Sequence, residues 1–85
     1  MNHKKLLLRL AHGNLQNVRF QDMVSLIEAF GFRLQRVGGS HHIFVHTDIP
    51  ELLNLQNVND EAKPYQIRQF LRLVERHNLK LGNHR

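Results

Sequence analysis

An alternating segment, a glycine turn and a second β-prone run constrain the fold of this chain most. In Phe32–Val37 (FRLQRV), side chains at even positions are predicted to face one side of a strand and those at odd positions the other. The glycine turn 38–40 (GGS) follows, and the next run, His41–Thr47, is rich in residues that favour strands. A short glycine turn between two such runs predicts a β-hairpin and therefore an antiparallel sheet.

Three helical patterns and a third strand accompany this hairpin. Leucines mixed with basic residues over His3–His12 predict a short helix, and an apolar stripe over Phe20–Phe30 predicts a second. The third helix is predicted over Tyr65–Asn78, after Pro64, because proline is favoured in the first turn of a helix. A third strand is expected over Leu52–Val58.

Two short segments are expected to be irregular and complete the predicted layout. Residues 48–50 (DIP) are predicted to break the second strand, and residues 59–61 (NDE) to form a loop. The order of elements then predicts an α+β layer, a three-stranded antiparallel sheet backed by helices. The 85 residues suffice for one core. We divide them into an accessory helix and loop, residues 1–17, and a main domain, residues 18–85.

Composition limits the kind of protein. The chain has no cysteine, which excludes disulfides and thiolate metal sites. Its early apolar stretch, Leu6–Leu8, is too short to span a membrane, so a cytoplasmic protein without membrane contact is expected. A formal net charge of +5 favours polyanionic partners such as nucleic acid. The charge is uneven, because Asp48–Glu61 holds four acids and no Lys or Arg, whereas Lys63–Arg85 holds six basic residues and one acid.

Two adjacent histidines follow the glycine turn. His41 and His42 are the side chains best suited to proton transfer near neutral pH, although metal binding and an ordinary place in a strand remain open for them. Neighbouring strand residues face opposite sides, and His42 lies about 13 Å from His46 along the strand, so neither a metal site nor a cofactor is predicted. Gly39 permits close approach of another molecule. Ser40 is expected to form the turn or to donate a hydrogen bond to a phosphate.

Basic residues of the last predicted helix form a second candidate site. Arg68, Arg72 and Arg76 are spaced by four and fall within about 80° of arc, which suits three guanidinium groups that bind successive phosphates. The polar face of an ordinary amphipathic helix explains the same spacing. Lys63 precedes Pro64 at the positive end of this helix, where it either completes an anion site or is a simple loop lysine.

The hairpin and the last helix together resemble a known family. Gly-Ser-His-His-Ile-Phe (39–44) between two predicted strands, and Lys-Pro-Tyr-Gln-Ile-Arg-Gln-Phe-Leu (63–71) at the helix start, are similar to the HicA toxins, also called YcfA-like proteins. These are mRNA interferases of bacterial toxin–antitoxin pairs. The resemblance covers about Val18–Leu79. The chain differs from the shortest members by residues 1–17 and by Asp48–Glu51, where a basic hairpin is often found.

The resemblance implies a fold and an activity. The fold would be similar to a double-stranded RNA-binding domain, with a three-stranded antiparallel sheet and two helices on one face. Family members cleave mRNA without the ribosome and are neutralised by a HicB-type antitoxin encoded alongside. Their functional histidine follows Gly-Ser, which corresponds here to His41, the predicted general base of a metal-independent endoribonuclease. The predicted RNA contacts are Gly39, Ser40, His42, Lys63, Arg68, Arg72 and Arg76.

Two other functions remain open on the residues alone. One is a non-catalytic module that binds double-stranded RNA by shape, with His41 as a contact to a phosphate or a 2′-hydroxyl. The other is a small protein whose apolar and basic faces serve only to dock a partner protein. Incubation of the purified protein with labelled RNA in the presence of a chelator distinguishes these functions from a nuclease.

Overall fold

The computed structural model describes residues 2–82, which form an α+β layer as predicted. The elements are α1 (His3–Ala11), α2 (Phe20–Ala29), β1 (Arg33–Gly38), β2 (His41–His46), β3 (Ile49–Val58), β4 (Glu61–Ala62) and α3 (Pro64–Arg76). The strands form one antiparallel sheet in the order β1-β2-β3-β4. Within these residues no helix is long and apolar enough to cross a membrane.

The helices pack on one face of the sheet, which we call the helix-covered face. Phe44 of β2 and Leu53 and Leu55 of β3 are fully buried there. Phe70 of α3 and Phe30, which follows α2, meet in this core with ring centroids 5.4 Å apart. Because successive strand residues face opposite sides, the residues between the buried ones lie on the other surface, which we call the open face.

A β-bulge in β1 changes the predicted alternation. Leu34 pairs with Phe44 and Arg36 pairs with Ile43, so Gln35 is an extra residue on this strand. Directly paired residues of antiparallel strands share a face. Arg36 therefore lies on the open face and Leu34 on the helix-covered face. The prediction that these two residues face the same way is wrong, because the bulge inserts one residue between them.

The hairpin predicted at the glycine turn is confirmed. Gly38 pairs with His41, so that Gly39 and Ser40 form a two-residue turn. Gly39 has a φ of +60°. A two-residue hairpin turn of type II′ needs a positive φ at its first central position, which is why glycine is found there.

β3 begins earlier than predicted. The break expected at residues 48–50 is confined to Thr47 and Asp48, because Ile49 pairs with His46 and Pro50 belongs to the strand. Proline lacks a backbone N–H and is tolerated near a strand start and at irregular pairing. The register between β2 and β3 shifts at this point, so the sheet does not depend on a hydrogen bond from Pro50.

The loop predicted at residues 59–61 contains part of a short fourth strand. β4 has two residues, and the backbone N–H of Ala62 donates to the Val18 carbonyl at 2.9 Å. The sheet therefore has four strands rather than the predicted three. A two-residue strand has no alternation that a sequence pattern would reveal.

The predicted N-terminal helix is present and packs against α2. The side chain of Asn2 caps it by accepting a hydrogen bond from the Lys5 backbone N–H at 3.1 Å. Leu6, Leu10 and Leu15 are buried in the same apolar core as the sheet. The division of the chain into residues 1–17 and 18–85 stays a prediction, and residues 1 and 83–85 of those ranges lie outside the described residues.

Candidate functional site

His41 begins β2 and lies exposed on the open face of the sheet. Its Cα partners are Gly38 on β1 and Gln56 on β3. Gly38 has no side chain, and even an added Cβ there would meet no atom within 4 Å. One flank of the imidazole is therefore uncrowded, and a large molecule reaches the ring without rearrangement of the protein.

Asn54 orients the imidazole of His41. It lies diagonally across from His41 on β3, and its side-chain amide is 3.2–3.3 Å from Nδ1 of the ring. Two arrangements fit these distances: Nδ1–H donates to Oδ1 at 3.3 Å, or Nδ2–H donates to Nδ1 at 3.2 Å. Only the first leaves a free lone pair on Nε2. Sequence reasoning missed Asn54, because the contact depends on the register between two strands. A polar residue within a strand-like run was its only signal.

Hydrogen bonds fix the turn that precedes His41. Nε2–H of Gln56 donates to Oγ of Ser40 at 3.2 Å, and the Asn57 N–H donates to the Ser40 carbonyl at 2.9 Å. The Gln56 N–H in turn donates to Oε1 of Gln66 at 2.6 Å. Gln66 is only 1% exposed, so the first turn of α3 is tied to the sheet through a buried hydrogen bond. Neither glutamine was singled out from the sequence.

His42 lies on the helix-covered face. Its ring centroid is 4.7 Å from that of Phe20, and Nδ1–H donates to the Ser40 carbonyl at 3.2 Å. His46, on the same face, donates through Nε2–H to the Phe30 carbonyl and accepts at Nδ1 from the Asp48 N–H. One phosphate cannot contact the rings of both His41 and His42, because the two face opposite sides of the sheet. The RNA contact of His42 stays a prediction.

The sheet separates His41 from the basic residues of α3. Arg68 and Arg72 are exposed on this helix, which packs on the helix-covered face. Lys63 is the N-cap residue of α3, and its Nζ lies 5.8 Å from the ring centroid of Tyr65. Arg68 and Arg72 therefore lie on the other side of the sheet from the predicted catalytic residue.

Arg76, the third arginine of this stripe, binds an acidic residue. Its Nη1–H donates to Oε2 of Glu51 at 2.7 Å, and Nε2–H of His77 donates to Oε1 at 2.9 Å. The hydrogen bond from Arg76 is the main cause that holds the pKa of Glu51 below its ordinary value of 4.5, and His77 contributes in the same direction. The charge of Arg76 is thus partly offset within the protein.

Neither the pocket between the first two helices nor a cluster of metal-binding groups involves His41 within the described residues. A pocket of about 400 Å³ lies between α1 and α2 and contains none of the predicted site residues. Among residues 2–82, no three side chains of His, Asp or Glu are placed to hold a metal ion. An exposed imidazole on a sheet face suits contact with a polymer better than enclosure of a small molecule.

Comparison with known protein families found a match over most of the sheet and two helices. The family described as "HicA toxin of bacterial toxin-antitoxin" matches residues 20–75, which is more than half of the chain. The matched stretch contains α2, all four strands and most of α3. No curated protein and no solved structure matched. The likeness to a double-stranded RNA-binding domain therefore stays a prediction.

Proposed function

This chain belongs to the HicA toxin family, and from that membership we propose that it is a toxin that cleaves mRNA with His41 as the general base. The observation that carries the proposal is the position of His41. The ring is exposed on the open face, is uncrowded on the side of Gly38, and is hydrogen-bonded through Nδ1 to Asn54. These are the features that a base acting on a polymer requires.

The proposed step is a transesterification within the RNA strand. Nε2 of His41 takes the proton of a 2′-hydroxyl while that oxygen attacks the adjacent phosphorus. The O2′–P bond forms and the P–O5′ bond breaks, which leaves a cyclic phosphate and a 5′-oxygen that takes a proton from water. The step uses the tautomer in which Nδ1–H donates to Oδ1 of Asn54, because Nε2 is then free to act. A single general base contributes about 10²–10⁴-fold, so we expect slow turnover.

The other predicted RNA contacts fall into two groups. Gly39 and Ser40 lie in the turn next to His41. We expect their backbone and hydroxyl groups to contact the same RNA strand. The second group lies on or beside the helices and comprises His42, Lys63, Arg68, Arg72 and Arg76. We propose that this group contacts a further stretch of RNA or the acidic side chains of a HicB-type antitoxin in the cytoplasm.

The test compares His41→Ala with His12→Ala, which removes an exposed imidazole at the end of α1. Each purified protein is incubated with end-labelled RNA in a chelator, and folding is checked by circular dichroism. We expect His41→Ala to lose at least about 10²-fold in cleavage rate and His12→Ala to match the parent protein. Cleavage at the parent rate by a folded His41→Ala protein would reject the proposal, as would cleavage of a strand whose 2′-hydroxyls are replaced by hydrogen.

A non-catalytic module that binds double-stranded RNA is the second candidate. It is favoured by the order α2-β1-β2-β3-α3, because two helices beside three antiparallel strands is the arrangement expected of a double-stranded RNA-binding domain. Binding of a duplex in the same assay without new RNA ends would support it. If RNA is neither bound nor cut, a protein that only docks a partner remains.

A further inference from the structure

A positively charged residue lies close to His41 on the open face. The bulge at Gln35 sets Arg36 opposite Ile43, and Asn54 stands opposite Ile43 on the other side. His41 precedes Ile43 by two residues on β2. Arg36 and His41 are therefore diagonal neighbours on adjacent strands, with Cα atoms about 7–8 Å apart. An extended arginine side chain is long enough to bring its guanidinium to a phosphate that touches the imidazole.

No acidic side chain lies on the open face of β1, β2 or β3, and the acid that this face does carry, Glu61 of β4, lies at the opposite edge of the sheet from Arg36. Arg36 is exposed and makes no salt bridge within residues 2–82. β1 and β2 contain no acid, and the one acid of β3, Glu51, is turned to α3, where it binds Arg76. Arg33, which pairs with Val45, adds a second positive charge to the open face. The part of the open face formed by β1 and β2 is therefore attractive to an anionic polymer.

We propose that Arg36 binds the RNA phosphate at which His41 acts, and that the bulge at Gln35 is what brings it there. The inference rests on the proposed function and deepens it. Without the bulge, Arg36 would pair with His42 and face the helices. Bulges are enriched next to active sites, where they re-aim a side chain. The guanidinium binds phosphate oxygens through two parallel hydrogen bonds and stabilises the negative charge that develops on them.

The ligand is a single RNA strand. The attacking 2′-oxygen has to line up with the departing 5′-oxygen, and a flexible strand reaches this geometry whereas a regular duplex holds the two oxygens apart. Ile43, half-buried between Arg36 and Asn54, offers an apolar contact for a ribose or base. The charge is placed to bind the backbone, so we expect little dependence on base sequence from this contact.

The experiment measures binding of a 2′-O-methyl RNA strand, which cannot be cut, by fluorescence anisotropy from about 50 to 200 mM salt. The variants are Arg36→Ala, Arg36→Lys and, as the matched control, Lys4→Ala, which removes one exposed charge from α1. We expect Arg36→Ala to weaken binding about tenfold at low salt and to lower the slope of log affinity against log salt by about 0.7. Arg36→Lys keeps the slope and loses part of the affinity, and Lys4→Ala leaves both unchanged.

The outcomes separate this inference from the nuclease proposal, because the strand is not cleaved in the assay. If Arg36→Ala and Lys4→Ala cannot be distinguished in affinity and slope, the inference is overturned, whatever His41→Ala does to cleavage. Loss of affinity in Arg72→Ala but not in Arg36→Ala also overturns it, as does tighter binding of a duplex of the same sequence. If Arg36→Ala loses affinity while the parent protein cuts no RNA, the phosphate site stands and the nuclease proposal fails.

Discussion

The two faces of the sheet are built from alternate residues of the same strands but have different compositions. On the helix-covered face Phe44, Leu53 and Leu55 have no exposed surface. On the open face His41 is exposed and hydrogen-bonded to Asn54. The apolar burial that stabilises the fold is thus concentrated on one side, and the polar groups of the candidate site lie on the other. We infer that stability and activity can be changed separately by mutation, which the following predictions test.

The largest expected effect is a difference in the free energy of unfolding between variants of two neighbouring residues of β2. Phe44→Ala should lower the free energy of unfolding by about 3–5 kcal/mol, because it leaves a cavity in the core. Ile43→Ala on the open face should lower it by only about 1 kcal/mol, because this side chain is half-buried. Urea denaturation followed by circular dichroism measures both. Equal losses of unfolding free energy in the two variants would show that the open face is covered in solution. They would contradict the difference inferred between the two faces.

A smaller effect concerns the orientation of the base. Asn54→Ala should reduce kcat/KM for RNA cleavage about threefold to tenfold without a change in stability, because the hydrogen bond to Nδ1 of His41 is lost. Asn54→Asp should move the acid limb of the pH–rate profile to higher pH, because a carboxylate favours the charged imidazolium.

Asn14→Ala is the matched control for both variants, since Asn14 is an exposed loop residue before α2. A loss of activity in Asn54→Ala with an unchanged pH profile in Asn54→Asp would argue that Asn54 shapes the strand rather than orients the ring.

The smallest effect lies on the helix side, in the contact between Glu51 and Arg76. The pKa of Glu51 is lower in the folded protein than its ordinary value, so ionised Glu51 stabilises the fold above that value, and the contribution is lost as pH falls through the folded pKa. Glu51→Gln should therefore be slightly less stable than the parent protein at about pH 7 and equal to it at a pH below the folded pKa of Glu51. Thermal unfolding of both proteins gives the difference, with Glu28→Gln on α2 as the control. A difference that persists at the lower pH would assign the effect to packing.

The sequence predicts the elements of the fold well where a residue pattern is long. The apolar stripe of α2 was expected over Phe20–Phe30 and is found over Phe20–Ala29. The proline and the stripe after it likewise place α3 within two residues of its observed ends. β4 and the early start of β3 at Ile49 were missed, because two residues show no period and because Pro50 reads as a strand breaker.

The site is harder to predict than the fold, because its geometry depends on register. The motif places His41 at the start of β2, and alternation separates it correctly from His42. Nothing in the sequence indicates that Asn54 lies across from His41, since the pairing of β2 with β3 fixes that contact. The sequence pattern also fails to predict that Arg36 lies on the open face, because an unbroken alternation would have turned it towards the helices.

The leucines of the first helix and the loop after it have a practical consequence for shortened versions of this protein. Leu6, Leu10 and Leu15 are buried, yet all three precede residue 20, where the family match begins. In a fragment trimmed to the matched span, the free energy of unfolding would fall by about 1.5–3 kcal/mol for each of these side chains. The fragment would also expose an apolar patch prone to self-association. The segment matched by the family, residues 20–75, is therefore shorter than the segment that a stable fragment needs, which includes α1 and the loop after it.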